Sequence, residues 1–86
     1  MIERIKALAE DSAASLAEWR HDFHAHPELS FEEVETTARI KGRLEEMGFT
    51  GMRTGTAGIP TGLVVDLNPG KPGPCFALRA DIDALP

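Results

Sequence analysis

The chain has 86 residues, 42% of them hydrophobic and 27% charged, with a formal net charge of −5. That balance is ordinary globular material, neither disordered nor membrane-spanning, and a scattered minority of basic residues does not make the concentrated positive surface that nucleic acid requires. At this length only about 60% of the unfolded surface is buried on folding, so an independent core is marginal and the chain is expected to be incomplete as a domain.

The N-terminal Met1-Ile2-Glu3-Arg4-Ile5-Lys6 mixes charge with isolated apolar residues. It lacks the continuous apolar segment of a secretory signal. From there apolar or small residues recur at Ile2, Ile5, Ala9, Ser12, Leu16, Trp19 and Phe23, the 3-4 spacing of one side of an amphipathic helix. Pro27 disfavours helical geometry at His26, so this helix is predicted to finish near Ala25. Trp19 and Phe23 read as packed core rather than as a binding surface.

A second helix is predicted from Phe31 to Met47. Ser30 and Glu33 have the spacing of a capping box, and Leu29 and Val34 that of a hydrophobic staple. Glu32, Glu33 and Glu35 put negative charge at the positive end of the helix dipole. Gly48 can adopt the left-handed conformation that ends a helix, with Phe49 placed to touch Leu44 as in a Schellman motif.

After Gly48 the pattern changes to short runs at 49–53, 63–67 and 75–79, separated by Gly/Pro loops, and these are predicted strands. The loop Asn68 to Pro74 favours an antiparallel hairpin between the last two. Cys75-Phe76-Ala77-Leu78 is apolar at successive positions, which on a strand means burial on both faces. The fold class expected is therefore α/β: two N-terminal helices followed by three strands, the opening part of a larger mixed sheet. Residues 54–58, Thr-Gly-Thr-Ala-Gly, match neither a dinucleotide fingerprint nor a P-loop and read as a connection.

Two groups of residues can carry chemistry. Asp81 and Asp83 follow the last apolar run, and carboxylates one residue apart in extended chain point the same way, able to share a cation or orient an imidazole. Taken alone, a solvated turn is the simpler account of them, and Arg79 can pair with either acid. His21, His24 and His26 are three imidazoles in six residues, but His26 lies beyond the expected helix end and no fourth zinc ligand is near in sequence. Ring N–H groups bonding carbonyls or carboxylates near the helix end explain them better. Glu28 is close by, though nothing in the sequence requires it. The single Cys75 forms no internal disulfide and fits a reducing cytoplasm.

Taken together, the segment from Trp19 to Glu33 and the segment Leu78-Arg79-Ala80-Asp81-Ile82-Asp83-Ala84-Leu85-Pro86 resemble the opening of the amidohydrolase branch of the aminoacylase and carboxypeptidase metallohydrolases. That branch includes hippurate hydrolases, N-acyl amino acid amidohydrolases and auxin-conjugate hydrolases. The resemblance implies a two-domain enzyme of zinc-peptidase type, with a smaller domain often used for dimerisation. It also implies a paired divalent metal site (two Zn, Mn, Co or Ni ions), at which activated water cleaves the amide of an N-acyl amino acid or small peptide and a glutamate acts as base.

Residues 1–86 would then be the N-terminal part of the catalytic domain. In the wider family the motif is H-x-D, its histidine a metal ligand and its aspartate an outer partner. Arg79 stands at the histidine position here, Asp81 matches the aspartate, and Asp83 lies in the same motif. The branch takes its ligands from a later Cys-Gly-His-Asp segment, a Glu-Glu pair and further histidines, so the metals are not expected to be fully bound by these residues alone. Cys75 lacks the Gly-His that should follow the ligating cysteine. A different class of function stays open, a non-catalytic fragment that acts as an interaction or dimerisation module.

Overall fold

The computed structural model describes residues 1–86, which form two α-helices, α1 (Ile2–Ala25) and α2 (Val34–Glu46), and a short 3-10 turn at Thr56–Gly58. There is no β-strand among these elements, so the architecture is all-helical and the α/β expectation is overturned. Of the three predicted strands, the first two meet at a single antiparallel bridge between Arg53 and Val64, with both N–H···O distances 2.8 Å. The expected hairpin between 63–67 and 75–79 does not form; the one bridge joins the first and second runs instead. An apolar run becomes a strand only when neighbouring chain satisfies its backbone. The run 75–79 has no such neighbour here, and Cys75, Phe76 and Leu78, expected to be buried, are exposed.

α1 ends at Ala25, where the proline argument put it, and the His26 N–H caps back to the Phe23 carbonyl. Its apolar stripe finds no core: Ile2, Ile5 and Leu16 are all exposed. α2 starts three residues later than predicted. Phe31 has φ +67°, a left-handed conformation that cannot open a helix, and Ser30 makes no bond to the helix N-terminus because its hydroxyl is engaged elsewhere. Glu28 caps the helix instead, from five residues upstream of the Glu33 N-cap. Neither Leu29 nor Val34 is buried, so the staple does not form.

The other end of α2 follows the sequence closely. Gly48 has φ +93°, its N–H bonds to the Glu45 carbonyl at 3.0 Å and the Phe49 N–H to the Leu44 carbonyl at 3.0 Å. These are the two hydrogen bonds of a Schellman motif. One hydroxyl then docks the following loop: Thr37 Oγ1 donates to the Glu33 carbonyl at 2.6 Å and accepts the Gly62 N–H at 2.9 Å. Thr37 and Thr61 are both buried at that junction.

Long polar side chains, rather than interdigitated apolar ones, join the two helices. Asp22 of α1 accepts from Arg39 Nη1 at 3.4 Å and Arg43 Nη2 at 3.2 Å. The Arg43 guanidinium lies 5.1 Å from the centroid of Trp19 and 6.0 Å from that of Phe23. The two aromatic residues are half-buried under this cation, not sealed in an apolar core as their spacing predicts.

No hydrophobic residue is buried anywhere in the chain. The accessible surface is 7422 Å², whereas a compact monomer of this mass exposes about 5,000 Å². The radius of gyration is 14.9 Å, against about 12 Å for a compact domain of this length. The helices and residues 75–79 thus present more surface than a compact domain of this mass leaves exposed.

Candidate functional site

The segment 81–84 returns to the loop between the helices and closes one side of a cleft of about 300 Å³. Arg20, Phe23 and His24 of α1 line it, with His26, Pro27 and Glu28 of the connecting loop and Thr36 and Ile40 of α2 opposite. Asp81, Ile82, Asp83 and Ala84 complete it. The two motifs singled out in the sequence thus meet at one place, where Ser30 and Asp83, 53 positions apart, are hydrogen-bonded.

Glu28 organises the loop side. Its Oε1 accepts from both the N–H and the hydroxyl of Thr36, each at 2.6 Å, and its Oε2 accepts from the Glu35 N–H at 3.2 Å. A carboxylate at the first turn of α2 takes up orphan N–H donors and meets the positive end of the dipole. These bonds favour the charged form, so the Glu28 carboxyl titrates below the usual value of 4.5; the Thr36 hydroxyl is the largest cause, followed by its N–H, with Arg39 adding a smaller attraction.

A folded-state value below the unfolded one gives stability that is fully present above pH 4.5 and is lost as pH falls through the lower folded value. In a carboxyl NMR titration Glu28 is expected to show its midpoint below 4.5, with α2 fraying as it protonates. A midpoint at or above 4.5 would remove Glu28 as the cap.

The two acids have separate partners. Asp83 Oδ2 accepts from the Ser30 hydroxyl at 2.7 Å, and the next residue, Ala84, donates its N–H to the Glu28 carbonyl at 2.8 Å. Asp81 pairs with Arg79 Nη2 at 2.7 Å, and both side chains are largely exposed. An exposed pair of this kind contributes about 0–1 kcal/mol. Arg79 does not line the cleft, and its guanidinium, always protonated, has no lone pair to offer a metal.

The three histidines do not converge. His26 Nδ1 lies 3.0 Å from the Asp22 carbonyl oxygen, and His21 Nε2 lies 3.0 Å from Arg20 Nη2. No group of three His, Cys, Asp or Glu side chains is arranged to hold a metal ion. The residues present do not fit a paired metal centre, and what they do chemically is position carboxylates by hydrogen bonding.

Asp22, Arg39 and Arg43 were not visible as a cluster in the sequence, where only the Asp22 to His26 helical spacing hints at a partner. Glu28 was equally silent, because its helix-capping role depends on a loop conformation set by Phe31.

No family model matches the chain, and no solved structure matches it. Among curated proteins it is 45% identical over 71 residues to an N-acetylcysteine deacetylase of Bacillus subtilis, covering 83% of this chain and 18% of that protein. An N-acyl-L-amino acid amidohydrolase of Geobacillus stearothermophilus is 37% identical over 84 residues, 98% of this chain and 22% of that protein. A Rhodococcus jostii protein carrying the name glutamate–cysteine ligase 2-3 is 49% identical over 71 residues, 83% of this chain but 8% of its own length.

Over a small part of their length, the chain is similar to members of the amidohydrolase, aminoacylase and carboxypeptidase family that its motifs resemble. It spans about a fifth of the length of the two hydrolases described.

Proposed function

We propose that residues 1–86 are the N-terminal part of the catalytic domain of a metal-dependent amidohydrolase that cleaves the amide bond of N-acyl amino acids or small peptides. The observation that carries this reading is the meeting of the two motifs at one cleft, where Asp83 is held by Ser30 and Asp81 lines the same wall. The named activities of the two similar hydrolases point to the same substrate class.

In this reading Asp81 and Asp83 are the segment's contribution to the reaction centre; the metals that the family implies would take their ligands from outside residues 1–86 and would supply the activated water. The uncovered surface supports it, since about 2,400 Å² more is exposed than a compact chain of this mass would leave. A cytoplasmic setting rests on the lone cysteine. No helix is long and apolar enough to cross a membrane.

The ligase name on the Rhodococcus protein supplies a rival activity, but the match takes in 8% of that protein, against 18% and 22% of the two hydrolases. The discriminating assay supplies a polypeptide carrying this segment within a complete catalytic domain with N-acetylated amino acids, and separately with glutamate, cysteine and ATP. Release of free amino acid supports the reading; ligation without hydrolysis contradicts it. A non-catalytic interaction module, which draws on the same exposed surface, predicts neither.

A further inference from the structure

We propose that Ser30 is a positioning residue, which together with the backbone carbonyl of Glu28 clamps the segment Asp81–Ala84 against the loop between the helices and so fixes where the two acids stand in the cleft. The inference rests on the reading of Asp81 and Asp83 as the reacting wall of that cleft. Its geometry is independent of that reading.

Two hydrogen bonds carry the clamp: Ser30 Oγ to Asp83 Oδ2 at 2.7 Å and Ala84 N–H to the Glu28 carbonyl at 2.8 Å. They are the only hydrogen bonds that tie residues 68–86 to the rest of the molecule. Upstream of Ala80 the segment is exposed, Phe76 86% and Leu78 fully so. The clamp has a rigid base, because the Glu28 carboxylate is itself bonded to the first turn of α2 through Glu35 and Thr36. A short link between helices thereby grips both the α2 N-terminus and the acidic segment, with opposite ends of one glutamate.

A charge-assisted hydroxyl bond of this length fixes the acceptor's rotamer as well as the backbone beside it. Removing it frees the acids to drift, and misplacement by about 1 Å in a reaction centre costs up to roughly a hundredfold in rate.

The test uses the polypeptide that carries this segment in a complete catalytic domain, assayed with an N-acetylated amino acid and followed by amide hydrogen exchange. Ser30→Ala is expected to lower kcat by about tenfold with KM little changed, and to speed exchange at Ala84. Ser30→Thr, which keeps the hydroxyl, restores both. Combined with Asp83→Ala it lowers kcat no further than Asp83→Ala alone, since both changes break one bond.

Unchanged exchange at Ala84 in Ser30→Ala overturns the clamp, and so does additive loss of kcat in the double variant. If the parent polypeptide turns over no N-acyl amino acid, the functional reading fails separately and Ala84 exchange still decides the clamp.

Discussion

Asp81→Asn, in a polypeptide carrying the complete catalytic domain, is expected to lower kcat by about 10–100-fold while changing KM little, the usual cost of removing a carboxylate that orients groups in a metallohydrolase centre. The substitution keeps the shape of the side chain and removes its charge and one acceptor oxygen. Asp81 contributes little to folding, because its only partner is Arg79 across an exposed 2.7 Å pair. Its loss is expected to shift stability by no more than about 0.5 kcal/mol, the range of surface substitutions. Turnover and stability therefore separate the two roles. Unchanged kcat with an unfolding midpoint like the parent's would make Asp81 a solvated turn residue.

The second large effect is structural. Asp22→Ala is expected to destabilise the helix pair by about 2 kcal/mol, as befits loss of a charge-assisted, half-buried acceptor serving two guanidinium groups. Asp22 is the one carboxylate bonded to both Arg39 and Arg43, and its side chain is 31% exposed. Without it Arg43 retains only the faces of Trp19 and Phe23, and its Nε is already buried without a partner. Asp22→Asn keeps an acceptor oxygen and is expected to cost less. Denaturant unfolding of both variants reads the difference; an Asp22→Ala midpoint equal to the parent's would mean that something else joins the helices.

What was legible in the sequence is what local physics decides. Pro27 set the end of α1, and Gly48 with Phe49 set the Schellman stop of α2. That Arg79 pairs with one of the two nearby acids was also legible, but not that the partner is Asp81. The start of α2 lies beyond the Ser30 signal because Glu28 reaches the N–H groups of Glu35 and Thr36, while the Ser30 hydroxyl goes to an acid 53 positions away. Nothing local signals that exchange.

The three strands failed for a related reason. Periodicity reports which faces are apolar, but a ladder needs partners, and within residues 1–86 only Arg53 and Val64 find each other. The meeting of the two motifs was equally beyond local reading, and it is the part of the structure that bears on function.

Chelation measured on two polypeptides tests the central claim most directly. N-acetyl amino acid hydrolysis by the complete catalytic domain is expected to be lost in chelator and restored by a divalent metal, while residues 1–86 alone, which gather no metal-holding group of three side chains, turn nothing over under either condition. Hydrolysis by residues 1–86 alone, or by the complete domain in chelator, would contradict an active site that this segment only helps to build.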